Sequence, residues 1–163
     1  MSTATRPSEG PPTVSFAHRN LPLLLLQARE CVLARFRPVL KAHGLTEQQW
    51  RILRLLMETG PLEPRQIGQR CGISSPSMAG ILARMEALDL VLRERLEHDQ
   101  RRQLVTPTAS SRALAQRIAP RIDAEYKAIE AQLESALVGS LVSTLDQVIA
   151  RLGPSAEAAE DGA

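Results

Sequence analysis

Aromatic side chains are scarce in this chain: two Phe, one Tyr and one Trp among 163 residues. Sheets lean on aromatic and β-branched residues, so this scarcity, with abundant Leu and Ala, favours a mainly α protein. Lysine is scarcer still, since only Lys41 and Lys127 among the 20 basic residues are not Arg. Codon bias in a GC-rich genome is the simplest reading, and a preference for bidentate phosphate and base contacts is the functional alternative. No long hydrophobic run occurs. Leu21 to Leu26 is interrupted by Pro22, far short of the roughly 18 to 20 apolar residues of a membrane span. The first fifteen residues are polar and proline-rich rather than a signal peptide. A cytoplasmic protein without a membrane partner is expected. The two cysteines, Cys31 and Cys71, are too far apart for a Cys-x-x-Cys motif and fall on apolar helix faces, as small buried residues of a reducing compartment do. His18, His43 and His98 lie in separate elements, with no nucleophile-base pairing and no metal spacing. That excludes an obvious enzyme, metal site or cofactor site. A large charge excess is also missing: at net +2, any polyanionic partner must be attracted by a local patch.

What is present is an ordered set of punctuated helices in a chain long enough for one domain. In PRQIGQRCGISSPSMAGILARMEAL the apolar residues Ile67, Cys71 and Ile73, then Met78, Ile81, Leu82, Met85 and Leu88, recur at helical spacing. Gly72 supplies a left-handed turn between them, and Ser74/Ser75 with Pro76 read as the start of the second helix. One helix stops and the next begins within about four residues, as helix-turn-helix docking requires. LVLRERL, EHDQR and RQLVT then predict two short strands around an exposed turn, a wing. The fold class is therefore mainly α with a small β-hairpin wing.

Around this head, a first helix is expected over about Leu21 to His43, with Leu24, Ala28, Cys31, Val32, Phe36, Val39 and Leu40 inward and Pro38 bending it. Thr46 and Gln49 form a capping box for the next helix, which carries Trp50, Leu53, Leu56 and Met57 and stops at Gly60-Pro61. From Thr108 to about Leu137 runs a stripe of Leu114, Ile118, Ile122, Tyr126, Ile129, Leu133 and Leu137, bent at Pro120, and a further segment holds Leu141, Leu145, Val148 and Leu152. That is more stripe than a small winged core covers, so a homodimer built from the terminal helices is expected. An intramolecular bundle of the first and last helices is the alternative. Residues 1–15 and 154–163 are expected to be disordered tails, flanking a domain over 16–153. Within it the winged helix-turn-helix occupies about 46–106, and dimerisation falls to about 16–45 and 108–153.

LTEQQWRILRLL, IGQRCGISSPSMAGILARMEALDLVLRERLEHDQRR and the long final helices together resemble the MarR family of bacterial transcription regulators. The resemblance covers about Leu21 to Leu152, and Asp99-Gln100-Arg101 in the wing is its most specific piece. LLLLQARE followed by FRPVLKAHGLTEQQWR is most similar to regulators of homoprotocatechuate and related aromatic-acid catabolism, with a regulator of nicotinate degradation and biofilm polysaccharide genes also compatible.

The resemblance implies an obligate dimer on a palindromic operator in double-stranded DNA. On that footing, the amino end of the helix from Ser75 enters the major groove, where Ser75, Ser77 and Met78 meet base edges and thymine methyls and Arg84 reaches phosphate. Arg65 and Gln66 position the duplex through phosphates. By the family pattern Asp99 steadies Arg101 for insertion into a narrow minor groove, while Arg95, His98 and Arg102 add phosphate contacts. A plain surface hairpin, with Arg93, Arg95, Arg101 and Arg102 paired to Glu94, Glu97 and Asp99, is the alternative.

The resemblance also implies a repressor released by a small aromatic carboxylate or phenol bound between the first, second and fifth helices. Arg29 is the first choice for the carboxylate because it interrupts an apolar face near Leu25, Ala28 and Val32; Trp50 offers a ring surface, and His18 is a weaker candidate. A salt bridge between subunits accounts equally well for Arg29. The chain departs from the family where Pro107-Thr108 leads into Ala109-Ser110-Ser111, and Pro107 is expected to shorten the second strand. Two other classes stay open: a cysteine-based redox regulator of the same fold, and a winged-helix protein-interaction module that does not bind DNA.

Overall fold

The computed structural model describes residues 16–96 and 99–153, without the side chains of residues 96–101. The expected tails lie outside the described residues, as does His98. Six helices and a hairpin follow in the order α1 (Leu21–Ala42), α2 (Glu47–Thr59), α3 (Pro64–Cys71), α4 (Ser75–Ala87), β1 (Val91–Leu96), β2 (Asp99–Pro107), α5 (Ala109–Leu133) and α6 (Ser135–Leu152). The chain divides into two compact units, Met1–Ala34 and Arg35–Ala163. Among the described residues no single helix is long and apolar enough to cross a membrane.

In the first unit, helix α1 starts at Leu21, where Asn20 Oδ1 accepts from Leu23 N at 3.1 Å. Ala28, Cys31 and Val32, expected inward, are exposed there. Cys31 is thus not the small core residue that its helical spacing suggested, because spacing identifies a face without saying what covers it.

The second unit holds the core, a single cluster that includes Phe36, Leu40, Ile52, Leu53, Leu56, Ile67, Met78, Leu82, Met85, Val91, Val105 and Ile118. Burying a Leu, Ile or Met fully is worth about 1.5–3 kcal/mol, so this cluster fixes how α2, α3, α4 and the hairpin sit together. Local chemistry sets the joints. Thr46 Oγ1 accepts from Gln49 N at 3.2 Å and Gln49 Oε1 from Thr46 N at 2.9 Å, the expected capping box of α2. Gly72 lies at φ 62, ψ 41 and ends α3. Ile73 N then donates to Gly68 O at 2.9 Å, and a Cβ on Gly68 would meet Ile73 O at 2.9 Å, so only glycine fits that crossing.

Leu88, expected on the buried face of α4, is 58% exposed. The helix ends at Ala87 and Asp89 takes φ 54, which turns the chain outward before Leu90 re-enters the core.

The hairpin is antiparallel and runs from Val91↔Pro107 to Arg95↔Gln103, with a shift before Leu96↔Asp99. Leu62 adds a single bridge to Val105, with N···O distances of 3.3 and 2.9 Å. Pro107 does not shorten β2, which extends over nine residues. It stands on the last rung, where Thr108 N supplies the next donor, to Leu90 O at 3.3 Å. Thr108 Oγ1 accepts from Ser111 N at 3.0 Å and donates to Asp89 O at 2.7 Å, tying the start of α5 to the end of α4.

The stripe expected as one helix to about Leu137 breaks earlier. Glu134 adopts φ 66, ending α5 at Leu133, and its carbonyl starts α6 by accepting from Leu137 N and Val138 N. The two helices meet at 105°. No residue of α6 is buried, and Leu137, Leu141, Val142, Ile149 and Leu152 are exposed along it.

Candidate nucleic-acid interface and effector pocket

Helix α4 begins at an exposed corner. Ser74, Ser75, Pro76 and Ser77 all face solvent, and Ser74 Oγ donates to Ser77 Oγ at 3.0 Å. Ser75 and Ser77 therefore stand free of the core at a helix N-terminus, where unpaired N–H groups and the dipole favour anions. Arg65 and Ser75 line one cleft of about 310 Å³ at this corner, floored by Gly68 and Gly72. Arg84 is exposed about two turns beyond Ser77 on α4, with its guanidinium lying over Gly80.

Met78 is the correction. It is only 2% exposed and packs in the core, its Cε 3.8 Å from where a Gly68 Cβ would stand. Its place among Ile81, Leu82 and Met85 assigns it to the inner face of α4, and an apolar residue one position beyond an exposed serine is packing rather than a reader of bases. Gln66 is exposed, but its Oε1 accepts from Glu63 N at 3.0 Å, so it is the N3 member of the capping box at the start of α3.

The hairpin is pinned to both helices of the head. Arg93 on β1 donates Nε to Glu86 of α4 at 2.9 Å, with Nη2 on the same oxygen. Arg102 on β2 donates Nε to Glu63, the residue before α3, at 2.8 Å, with Nη2 again on the same oxygen. Arg93 and Arg102 thus each reach a carboxylate of the helical head, while the side chains of Glu97, Asp99 and Arg101, on which a self-contained surface hairpin would also draw, lie outside the described residues. Arg93 also holds the Glu86 carboxyl below its ordinary range, chiefly through that hydrogen bond. Arg95 is exposed. The side chains of Asp99 and Arg101 lie outside the described residues, although their backbones belong to β2.

A second feature lies between α2 and α5, a cavity of about 410 Å³ walled by Trp50, Arg54, Met57 and Glu58 on one side and by Arg112, Gln116 and Asp123 among others on the facing helix. Trp50 is half-buried and packs on the core, as a rigid ring wall should. Arg54 Nε donates to Glu58 Oε1 at 2.7 Å and its guanidinium stands 5.7 Å from the Tyr126 ring centroid. The Glu58 hydrogen bond leads the effects that raise its pKa further, so it is a permanent cation. Tyr126 in turn packs on Phe36 with centroids 4.9 Å apart. Sequence reasoning missed Arg54, although Trp50 and Arg54 stand four residues apart on one helix face. Arg29 and His18 belong to the first unit. Both are exposed, and Arg29 Nη1 pairs with its neighbour Glu30 at 2.6 Å.

Cys71 is buried beside α2, with Arg51 Nη1 donating to its carbonyl at 2.6 Å. Burial pushes its thiol up, despite a smaller opposing pull from Arg51, and disfavours the thiolate that redox chemistry needs.

A helix pair crossing at a left-handed glycine, an exposed helix start and an arginine-bearing hairpin docked on both helices define a winged-helix regulator. The chain belongs to the MarR family of transcriptional regulators. A family model described as MarR family matches residues 43–102. The homoprotocatechuate degradative operon repressor of Escherichia coli is 41% identical over 133 residues, covering 82% of this chain and 90% of that protein. The transcriptional regulator FarR of Neisseria gonorrhoeae is 40% identical, covering 69% of this chain and 77% of its own. Among solved structures, NadR in complex with 4-hydroxyphenylacetate superposes with a TM-score of 0.73 at 38% identity, covering 84% of this chain and 96% of that one. The first two of these relatives are a repressor and a transcriptional regulator by name.

Proposed function

We propose that the protein is a dimeric repressor that binds a palindromic operator in double-stranded DNA and is released by a small aromatic carboxylate or phenol, controlling genes of aromatic-compound catabolism. It would work in the cytoplasm, where its operator is. The observation that carries the effector half of this reading is the α2–α5 cavity, in which a half-buried indole wall and a permanent cation, Arg54, stand together. A flat apolar ring stacks on the first and a carboxylate pairs bidentately with the second. The residues proposed for the ligand are therefore Trp50 and Arg54, with Arg112 beside them, and Arg29 falls back to a contact between subunits. That the E. coli relative is named for a homoprotocatechuate operon, and that NadR was solved with 4-hydroxyphenylacetate, supports an arylacetate as the ligand class.

Release needs little energy. A ligand that binds the non-reading conformer tenfold better shifts the balance by about 1.4 kcal/mol per site. Arg54 offers a route, because a carboxylate that draws it from Glu58 also disturbs Tyr126 and, through it, Phe36 at the core end of α1.

For DNA, Ser75, Ser77, Arg84 and Arg65 remain the proposed contacts on the head, with Arg95, His98, Arg101 and Arg102 on the wing and Asp99 steadying Arg101. The dimer reading rests on α6, whose apolar residues nothing within the described chain buries. Fluorescence anisotropy on DNA from the protein's own upstream intergenic region, against scrambled DNA and with a panel of aromatic acids, tests the whole. Specific binding reversed by one acid is the expected result. Specific binding that no acid reverses would remove the effector half, and absence of specific binding would favour the protein-interaction module.

A further inference from the structure

The hairpin ladder holds a local irregularity. Between the rungs Arg95↔Gln103 and Leu96↔Asp99, β1 advances one residue while β2 advances four, so Gln100, Arg101 and Arg102 have no rung of their own. A stretch of this kind re-aims the strand that carries it, and a contact made from within the stretch acts on its direction.

Glu63 is placed to supply it. Its backbone is fixed on both sides: Leu62 is bridged to Val105 and buried, Pro64 opens α3, and Glu63 N donates to Gln66 Oε1 at 3.0 Å. From that post its carboxylate receives two nitrogens of Arg102, the last residue of the bulge, with Nε at 2.8 Å. The Glu63 side chain is 25% exposed and that of Arg102 55%, so the pair is shielded on the Glu63 side alone.

We propose that Glu63 is a positioning residue for the wing: by holding Arg102 it fixes the path of the bulge, and with it the direction in which the adjoining Gln100–Arg101 backbone is presented to DNA. This deepens the DNA-binding reading above and rests on it. It also makes a prediction of unusual sign. Glu63 is an anion beside a DNA-binding hairpin, so electrostatics alone says that neutralising it tightens binding to any duplex. Positioning says that neutralising it loosens binding to the operator.

The test compares wild type, Glu63→Gln, Arg102→Gln and the double variant on operator and scrambled duplexes across a salt series, with amide exchange of the DNA-free proteins. Glu63→Gln is expected to weaken operator binding about two- to fivefold, the range of one partly shielded ion pair. Binding to scrambled DNA should not weaken, and the salt slope should stay the same, because no phosphate contact is removed. In the Arg102→Gln background the same change should have no further effect on the operator. Amides of Gln100 to Gln103 should exchange faster while those of α3 do not.

Tighter binding of Glu63→Gln to both duplexes would overturn the proposal, as would equal weakening with and without Arg102, or faster exchange throughout α3. A wild-type protein that does not prefer its operator would remove the DNA-binding reading and this one with it. A specific wild type with an indifferent Glu63→Gln removes this one alone.

Discussion

The head and the last helix both carry apolar stripes and are opposite in what they do with them. The apolar stripes from α2 to β2 close for the most part on one another: Ile52, Leu53 and Leu56 of α2 join Ile67 of α3, Met78, Leu82 and Met85 of α4, and Val91 and Val105 of the hairpin in one core. Helix α6 carries Leu137, Leu141, Val142, Ile149 and Leu152 and buries none of them. A chain that leaves so much apolar surface open on one helix has either a partner or an aggregation problem. The head closes its own core, and α6 leaves its stripe open. If, as proposed, the head reads DNA and α6 joins two copies, substitutions should separate the two.

Leu82→Ala gives the largest effect. Leu82 is 1% exposed at the centre of the head, and truncating such a leucine leaves a cavity that costs about 2–5 kcal/mol, read as a fall in unfolding free energy by urea denaturation. Leu141→Asp should leave the head folded by circular dichroism yet abolish the dimer in analytical ultracentrifugation, with operator affinity falling for want of the second half-site. Were Leu141→Asp to unfold the head, or remain dimeric, the division drawn between the two regions would be wrong.

Within the head, the wing and the pocket should also part company. Arg101→Ala is expected to weaken operator affinity by about 1–3 kcal/mol at unchanged folding; wild-type affinity from a folded dimer would sink the wing assignment. Arg54→Ala should leave operator affinity near wild type and raise the acid concentration needed for release by about tenfold or more, the loss of one charge-assisted bidentate contact. Release unchanged in Arg54→Ala, and lost in Arg29→Ala, would return the carboxylate site to α1.

Much of this was legible in the residues, and the failures have a common cause. The helix order, the Thr46 cap and the glycine turn follow from contacts within a few positions of each other, and the hairpin from two strands joined by a short turn, which sequence spacing encodes. Family membership was legible too, on the motif from Leu45 to Arg102. What periodicity does not encode is which side of a stripe is covered. Met78 and Ser77 are neighbours at the start of α4, and only the packing of Gly68 against the turn shows that one is core and the other surface. Cys31 errs the opposite way, on a helical face left open. Arg54 was passed over because its partners, Tyr126 and the wall from Arg112 to Asp123, arrive from a helix more than fifty residues away. The strand end at Pro107 was misjudged because the missing N–H falls where the ladder has already finished.

The smallest expected effect concerns the other clamp between wing and head, Arg93 on Glu86. Both side chains are partly exposed, at 30% and 38%, so the pair contributes little in salt. Its pH dependence nevertheless has a definite sign. Arg93 lowers the Glu86 carboxyl from its ordinary 4.5 in the folded protein, so the folded state binds fewer protons than the unfolded chain in the window just below that value. The stabilisation is therefore fully present above about pH 4.5 and is lost as pH falls through the lowered folded value. Comparing wild type with Glu86→Gln by thermal unfolding at low salt should show wild type slightly the more stable near neutrality, and the gap should close on acidification. A gap that is independent of pH would mean that Glu86 serves the hinge between α4 and β1 by shape alone. A gap that widens in acid would contradict the pairing itself. If the gap closes as expected while operator affinity is unchanged at neutral pH in Glu86→Gln, the β1 clamp belongs to folding, whereas Glu63 on the β2 side belongs to reading.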